Sequence, residues 1–261
     1  MPVFAEKYGS WALVAGASEG LGAAFATALA SRGLNLILVA RRMDVLTALA
    51  DEIKQAHSVK IKLISLDLAD LKLVEEEFAS TEEDIGLLVY NAAYSPIGYF
   101  KDLAPDQLLQ IADINVKAPL LLAKLLSQSM LEKKRGGIIL MSSLSGLQGS
   151  PKIATYSATK AFNTTLAEAL WREFKDYNVD VLACVAGAIR TPGYIASQKG
   201  KADAPGTLDA DVVANNVLDN LGKGPTVIPG FVNKLASFFL TRLLPRKRRI
   251  EIMFNNTKDL T

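Results

Sequence analysis

Two side chains that could together move a proton lie four positions apart in the stretch Tyr156-Ser157-Ala158-Thr159-Lys160. Residues with this spacing share one face of a helix, with Cβ atoms about 5–6 Å apart. A cation fixed beside a phenol favours the phenolate and lowers the phenol's pKa from its usual value of about 10. The pair therefore predicts that Tyr156 donates a proton and that Lys160 tunes it. The alternative is an exposed pair with no chemical role.

The composition excludes several other chemistries. The 261 residues include 29 basic and 27 acidic side chains, and the net charge of +2 argues against a nucleic-acid binder. A single histidine, His57, and a single cysteine, Cys184, leave no Cys/His zinc cluster and no Ser-His-Asp triad, so we expect no metal site. Cys184 lies in an apolar run and is predicted to be inert core. Without a signal-peptide pattern or an apolar run of about 18 residues, a cytoplasmic protein is expected.

Short apolar runs alternate with amphipathic helical patterns along the chain. The runs lack the polar–apolar alternation of a half-exposed strand, as expected for a parallel sheet covered by helices on both faces. The pattern predicts an α/β fold, a Rossmann-like doubly wound parallel sheet of about seven strands, in a single domain over residues 1–261. The predicted strands are Trp11–Ala15, Leu34–Ala40, Ile61–Leu66, Leu87–Asn91, Gly137–Met141, Asp180–Val185 and Thr226–Ile228.

A glycine-rich turn follows the first predicted strand. It reads Gly16-Ala17-Ser18-Glu19-Gly20-Leu21-Gly22, and an alanine-rich helical stretch comes next. Glycines at such a turn let the backbone approach a pyrophosphate, and the helix N-terminus offers N–H groups and partial positive charge to phosphates. We therefore predict that a dinucleotide binds here, at Gly16, Ser18, Glu19, Gly20, Leu21 and Gly22.

The end of the second predicted strand indicates which dinucleotide binds. An acidic residue there would bind the ribose 2′-hydroxyl of NAD, but the sequence reads Ala40-Arg41-Arg42. Arginine suits a 2′-phosphate, so NADP(H) is favoured, with Arg41 and Arg42 as ligands. The alternative is that both arginines are merely solvated at the start of the next helix.

Asp67 and Leu68 follow the third predicted strand and are candidates for the adenine end of the cofactor. The Asp67 carboxylate could accept a hydrogen bond from the adenine amino group. It could instead cap the next helix, a role that Asp70 fits better.

These residues resemble, in order and spacing, the short-chain dehydrogenase/reductase family over residues 10–192. The resemblance implies an oxidoreductase that passes hydride between a nicotinamide cofactor and a carbonyl or secondary alcohol. It also implies a catalytic tetrad of Asn115, Ser143, Tyr156 and Lys160, in which Ser143 donates a hydrogen bond to the substrate carbonyl. The residues that carry the resemblance are Gly16, Gly20, Leu21, Gly22, Asp67, Leu68, Asn91, Ala92, Asn115, Ser143, Tyr156 and Lys160.

The same resemblance implies further cofactor contacts and an assembly. Asn91, Ala92 and Thr191 are expected to line the nicotinamide site, together with Tyr156 and Lys160. A homodimer or homotetramer is expected to form through two long helices, predicted over Asp106–Leu131 and Thr155–Tyr177.

Tyr90 and Pro119 are two residues whose types should affect the region of the predicted site. Tyr90 stands where the family has Asn, and is expected to alter packing around the nicotinamide. Pro119 has no N–H, so the carbonyl of Asn115 loses its helical donor. A water bound there could relay protons to Lys160, and a simple helix kink is the alternative.

Residues 188–208 are predicted to form a mobile substrate lid, because this polar stretch carries Gly193, Gly200 and Gly206 beside Lys199 and Lys201. The alternative is an ordinary surface loop. Tyr94–Phe100 is expected to form the opposite wall, and with Leu144 and Tyr194 it predicts a largely apolar pocket.

Such a pocket suits a hydrophobic ketone or a 3-oxoacyl-type substrate. We therefore predict an NADP(H)-dependent carbonyl reductase or alcohol dehydrogenase. Two other functions stay open: an NADP-binding regulator without turnover, and a lipid or acyl reductase associated with a membrane surface.

A helical extension is predicted over residues 231–261. Within 231–249, an apolar stripe at helical spacing precedes the basic run Arg246-Lys247-Arg248-Arg249. Either the stripe is core that packs over the substrate pocket, or it is an interfacial segment that meets lipid while the cations meet phosphates. The stripe consists of Phe231, Leu235, Phe238, Phe239 and Leu243.

Overall fold

The computed structural model describes residues 4–79, 81–198 and 202–258. These residues form a parallel sheet from the strands β1 (Trp11–Ala15), β2 (Asn35–Ala40), β3 (Ile61–Ser65), β4 (Ile85–Tyr90), β5 (Gly136–Ser143), β6 (Val179–Ala186) and β9 (Thr226–Val227). The strand order across the sheet is β3-β2-β1-β4-β5-β6-β9. Two short strands, β7 (Ile189–Arg190) and β8 (Leu208–Asp209), pair with each other outside it.

The described residues also form the helices α1 (Phe4–Tyr8), α2 (Gly20–Ala30), α3 (Met43–Ala56), α4 (Leu71–Phe78), α5 (Pro105–Ala112), α6 (Ala118–Glu132), α7 (Ala154–Phe174), α8 (Pro192–Gln198), α9 (Ala210–Asn220), α10 (Phe231–Leu243) and α11 (Arg246–Thr257). Helices cover both faces of the seven-stranded sheet. α2, α3 and α9 pack with Ala12 and Val14, whereas α4, α6 and α7 pack with Leu13 and Ala15. Since successive strand residues point to opposite faces, each strand supplies two cores and is apolar throughout.

The predicted α/β fold is confirmed. All seven predicted strands are present, and no end differs from the prediction by more than two residues. The difference that matters most for the site is at β5, which continues two residues past the predicted end. Ser143 is therefore the last residue of this strand. Within the described part of the chain, no helix is long and apolar enough to cross a membrane.

The predicted helix over Asp106–Leu131 is present as one unbroken helical run, with a π-helical turn inside it. α5 ends at Ala112, a π-helical turn spans Asp113–Lys117, and α6 begins at Ala118. In this turn the Ala118 N–H donates to the Asp113 carbonyl, five residues back. Pro119 has no N–H, so the ordinary helical ladder cannot continue through it. The wider turn carries Asn115, and such π turns are frequent at functional sites.

The sheet reverses its direction of growth at β1. This strand lies between β2 and β4, so the chain builds one side through β2 and β3 before it returns for β4. In open α/β sheets, ligands bind beyond the carboxyl ends of the strands at such a switch point.

The predicted C-terminal extension is helical in α10 and α11, and residues 259–261 lie outside the described residues. The prediction that its apolar stripe packs as core is wrong. The buried residues of α10 are Asn233 and Ser237, whereas Phe231, Phe238 and Leu243 are exposed.

Candidate active site

A cleft of about 800 Å³ opens beyond the carboxyl ends of β1, β4 and β5. Its size is typical of cofactor and small-ligand sites. It brings together most of the predicted site residues, namely Gly16, Ser18, Glu19, Gly20, Leu21, Arg41, Arg42, Asp67, Leu68, Asn91, Ala92, Ser143, Tyr156, Lys160 and Thr191. Gly22 and Asn115 were predicted as site residues but do not line the cleft.

Tyr156 lies in the first turn of α7, beside Ser143 at the end of β5. Burial raises the pKa of Tyr156 to about 12, and its interaction with the Ser143 hydroxyl opposes this rise. The predicted lowering of this pKa by Lys160 is therefore wrong for this structure, because the loss of solvation dominates. Tyr156 keeps its proton at neutral pH, which is the form that a proton donor needs.

Lys160 lies one turn later in α7 and is only 3% exposed. Its Nζ donates to the main-chain oxygen of Met141 at 2.9 Å and lies 5.3 Å from the centroid of the Tyr156 ring. Burial lowers the pKa of Lys160 to about 8. The alternative of an exposed Tyr/Lys pair is wrong, because the Met141 carbonyl fixes the amine inside the protein beside the phenol.

The Asn115 side chain is completely buried and has a structural role. Its Oδ1 accepts from the Tyr94 N–H at 2.8 Å, and its Nδ2 donates to the Tyr94 oxygen at 3.0 Å. Nδ2 also lies 3.2 Å from Thr159 Oγ1, in α7. The side chain therefore ties the π-helical turn to the Tyr94 loop and to α7. Any relay through Asn115 must use its main-chain carbonyl, and this relay stays a prediction.

Tyr90 supports the same turn from the sheet. Its hydroxyl donates to the main-chain oxygen of Ile114 at 2.5 Å, and its side chain is buried. Burial raises the pKa of Tyr90 well above its usual value, so the hydroxyl stays a donor. Tyr90 does not line the cleft, so it acts on the residue next to Asn115 and not on the packing expected around the nicotinamide.

The glycine-rich turn fits a dinucleotide. A Cβ on Gly16 would lie 2.6 Å from Ala92 Cα, and one on Gly22 would lie 1.9 Å from the Gly16 oxygen. Asn91 Nδ2 donates to the same Gly16 oxygen at 2.9 Å. Because Gly22 lets α2 approach the turn, it serves the site without lining the cleft. The N-terminus of α2 thus reaches the cleft, where its N–H groups suit phosphate oxygens.

Two arginines follow β2 and line the cleft. Arg42 Nη2 lies 3.1 Å from Glu19 Oε1 and 3.3 Å from Ser18 Oγ, so this side chain bridges to the glycine-rich turn. Arg41 lines the cleft and is exposed, and its guanidinium has no partner among the residues that the structure describes. The arrangement offers a phosphate one unpaired guanidinium and one next to a hydroxyl.

Asp70 caps α4, since its Oδ1 accepts from the Leu73 N–H at 3.1 Å. Asp67 Oδ1 accepts from the Ala69 N–H at 3.0 Å, and Asp67 lines the cleft. The assignment of the helix cap to Asp70 is confirmed. The contact of Asp67 with the adenine stays a prediction.

Residues 188–208 are more regular than the predicted loop. They contain β7, α8 and the start of β8, whereas Lys199, Gly200 and Lys201 lie outside the described residues. Arg190 makes an ion pair with Asp203 at 2.6 Å and another with Asp209. These contacts order the described part of the segment, and its role as a lid stays a prediction.

Tyr194 links the lid to the cleft. It lines the cleft, and its hydroxyl accepts from the Ala204 N–H at 3.0 Å. Thr191 precedes α8, and its Oγ1 accepts from the Tyr194 N–H at 3.2 Å. The opposite wall contributes Tyr94, as predicted, whereas Leu144 does not line the cleft. A smaller crevice beside Tyr156 has a mainly apolar lining, made of Pro96, Gly98, Phe100, Leu103, Ile111, Ile153, Ala154 and Thr155.

Two serines next to Ser143 have supporting roles that the sequence analysis missed. Ser145 Oγ donates to Ser143 Oγ at 3.0 Å, and the Ser145 N–H lies 3.2 Å from the same atom. Ser142 Oγ donates to the main-chain oxygen of Lys160 at 2.6 Å. The alternation of side chains along β5 was a usable signal, because it sends Ser142 and Ser143 to opposite faces.

Residues 10–202 of the chain match the family model described as short chain dehydrogenase. A 7beta-hydroxysteroid dehydrogenase of Clostridium sardiniense is 33% identical over 237 residues, which cover 88% of this chain and 89% of that protein. A structure solved in a study of 7beta-hydroxysteroid dehydrogenase stereoselectivity matches with a TM-score of 0.89 and 29% identity, over 96% of this chain and 98% of that one. A short-chain dehydrogenase from Sphingobium yanoikuyae in complex with NADPH matches with a TM-score of 0.78 and 26% identity, over 96% of each chain.

Proposed function

Because the chain belongs to the short-chain dehydrogenase family of oxidoreductases, we propose that it uses NADP(H) to interconvert a bulky hydrophobic ketone and its secondary alcohol. The observation that carries the proposal is the placement of the Tyr156 and Ser143 hydroxyls beside each other in the cleft. It supplies a phenol that holds its proton next to a second hydroxyl.

The chain's own residues account for binding and proton transfer. NADPH, when bound, supplies the hydride that the carbonyl carbon accepts. The glycine-rich turn would hold its pyrophosphate, and Arg41 and Arg42 its 2′-phosphate. The Ser143 hydroxyl donates a hydrogen bond to the substrate oxygen, and Tyr156 transfers its proton to that oxygen. Protonated Lys160, beside the ring, stabilises the phenolate that remains, and a water at the Asn115 carbonyl returns the proton.

A hydrophobic substrate is supported from two sides. The cleft lining includes Tyr94, Ile189 and Tyr194, which offer apolar surface to a substrate. The relative from Clostridium sardiniense is named for a hydroxysteroid, which is a bulky apolar secondary alcohol. A 3-oxoacyl thioester is the second substrate class to test, since it also presents a carbonyl on an apolar chain.

We further propose one domain over residues 1–261, with the lid at 188–208 and the extension at 231–261, in a homodimer or homotetramer. Leu120 on α6 is 46% exposed, and Leu121 and Leu125 are half-buried, so this helix offers an apolar surface to a partner. Light scattering that shows a monomer in dilute solution would count against the assembly. The cytoplasmic location stays a prediction.

A panel of carbonyl compounds tests the proposal. Loss of NADPH absorbance would be followed with a 7-oxosteroid, a 3-oxoacyl thioester and a small aliphatic ketone, each also with NADH. We expect turnover with at least one bulky compound, and faster turnover with NADPH. NADPH binding without turnover of any compound would favour the regulator instead.

A further inference from the structure

Helix α10 is folded with its apolar side outward. The exposed fractions of Phe231, Phe238 and Leu243 are 78%, 56% and 63%. The side chains buried against the rest of the protein are Asn233 and Ser237. A helix that only completed the core would have the opposite arrangement. The outward apolar residues, here called the α10 face, are Phe231, Val232, Leu235, Phe238, Phe239 and Leu243.

The buried polar side fixes this orientation. Asn233 Nδ2 donates to the Gly206 oxygen at 2.9 Å and to the Pro229 oxygen at 3.0 Å. A Cβ on Gly187, which lines the cleft, would lie 2.7 Å from Asn233 Oδ1. Turning the apolar side inward would break both hydrogen bonds and leave the amide without partners. The hydrogen bonds of Asn233 therefore fix the orientation of α10 with its apolar side outward.

Exposed cations lie at both ends of α10 and at the start of α11. Lys234 and Arg242 lie on α10, and Arg246, Lys247 and Arg248 begin α11; all five are exposed. α10 contains no acidic residue, and Glu251 is the acidic residue of α11. In the described part of the chain, none of these five cations makes a salt bridge. The surface thus combines exposed apolar side chains with unpaired positive charge.

We propose that the α10 face and the start of α11 dock on an anionic lipid bilayer. Apolar side chains would enter the interface between headgroups and acyl chains, and the cations would meet lipid phosphates. A second copy of the chain is a poorer occupant. A two-fold interface sets the same patch against itself, and α10 has no acidic side chain to pair with its own cations. The charge of the surface therefore selects an anionic membrane.

Co-sedimentation of the full chain with vesicles tests the proposal. Equimolar phosphatidylcholine and phosphatidylglycerol would be compared with phosphatidylcholine alone, across a salt series. The wild type should bind the anionic vesicles at low salt and be released as salt rises. The triple variant R246Q/K247Q/R248Q should bind on the order of 10²-fold more weakly. Arg249 is kept, because its Nε donates to the Leu244 oxygen at 3.0 Å.

Matched variants separate the surface from net charge. K54Q/K60Q/K223Q also removes three positive charges, from exposed lysines outside α10 and α11. This variant should bind vesicles like the wild type. F238S/L243S should lose binding although its charge is unchanged. Circular dichroism and NADPH binding verify the fold of each variant. Tyr156→Phe should bind vesicles normally, so failure of the catalytic proposal would not be mistaken for failure of this one.

Three results would overturn the proposal. The first is no binding of the wild type to anionic vesicles at low salt. The second is equal loss in the K54Q/K60Q/K223Q control, which would reduce the effect to net charge. The third is a lipid-free dimer, seen by light scattering, that F238S/L243S dissociates while vesicle binding is absent. That result would make a second copy the occupant.

Discussion

The Lys160 ammonium nitrogen lies 5.3 Å from the centroid of the Tyr156 ring, where Lys160 is buried and Tyr156 is half-buried at the cleft. Burial raises the pKa of the phenol to about 12 and lowers that of the amine to about 8. The phenol is thus kept protonated, and the amine is placed close to its titration near neutral pH. The lowered pKa of the Lys160 amine should therefore be visible in the pH dependence of stability.

Replacing Lys160 with Met should change how stability depends on pH. The folded protein loses the Lys160 proton near pH 8, whereas the unfolded chain holds it to about 10.5. Between these values the unfolded state binds more protons, so the free energy of unfolding of the wild type rises with pH. Lys160→Met lacks this rise, so its stability relative to the wild type should be greatest below pH 8.

Urea unfolding of the two proteins across this pH range, followed by circular dichroism, is the check. Cys184, whose pKa burial raises to about 12, and Tyr156 titrate in both proteins, so the comparison isolates Lys160. Parallel stability curves would mean that the amine is not desolvated in the folded protein.

Replacing Arg41 with Ala should weaken NADPH binding and leave NADH binding largely unchanged. A charge-assisted hydrogen bond contributes about 1.5–3 kcal/mol, which is roughly one to two decades in affinity. Arg42→Ala should have a smaller effect, because Arg42 already pairs with Glu19. Glu19→Gln is the control of opposite sign, since it releases Arg42 and should favour NADPH. Fluorescence titration with NADPH and NADH would compare the wild type with the three single variants and with R41A/R42A. An unchanged cofactor preference in R41A/R42A would refute the 2′-phosphate site.

Replacing Arg190 with Ala should loosen the lid. The variant loses the ion pairs with Asp203 and Asp209 that join β7 to the later part of the lid. Because these pairs are exposed, we expect only a modest rise in KM for the ketone, roughly two- to fivefold, with kcat nearly constant. Arg172→Ala, which removes an exposed pair between Arg172 on α7 and Asp176 just after that helix, is the matched control. Equal KM values in the two variants would show that the ion pairs do not hold the lid.

The sheet and most of the cleft could be predicted from the sequence because their signals are local. Strands buried on both faces are apolar throughout, and a glycine-rich turn after the first strand marks its carboxyl end. Because the strands are parallel, residues that follow or end them, such as Gly16, Asn91 and Ser143, lie at the same edge of the sheet. The Tyr156–Lys160 spacing then adds the helix that faces them.

The features that the sequence did not predict depend on contacts between distant parts of the chain. Pro119 predicted a disturbed helix, but the use of the Asn115 side chain depends on Tyr94 and Thr159, 21 and 44 residues away. The direction of the Tyr156 pKa shift depends on burial, which spacing alone does not determine. The stripe on α10 fits core and surface equally well, and only the contacts of Asn233 with Gly206 and Pro229 decide between them.

The central claim is that Tyr156 donates the proton to the substrate oxygen. The most direct test compares kcat of the wild type and Tyr156→Phe, with NADPH and a ketone that the wild type reduces. Fluorescence titration would establish that the variant still binds NADPH. Loss of a general acid costs about 10²–10⁴-fold, so we predict a fall of that size in kcat with cofactor affinity nearly unchanged. Near-normal turnover in Tyr156→Phe would contradict the account.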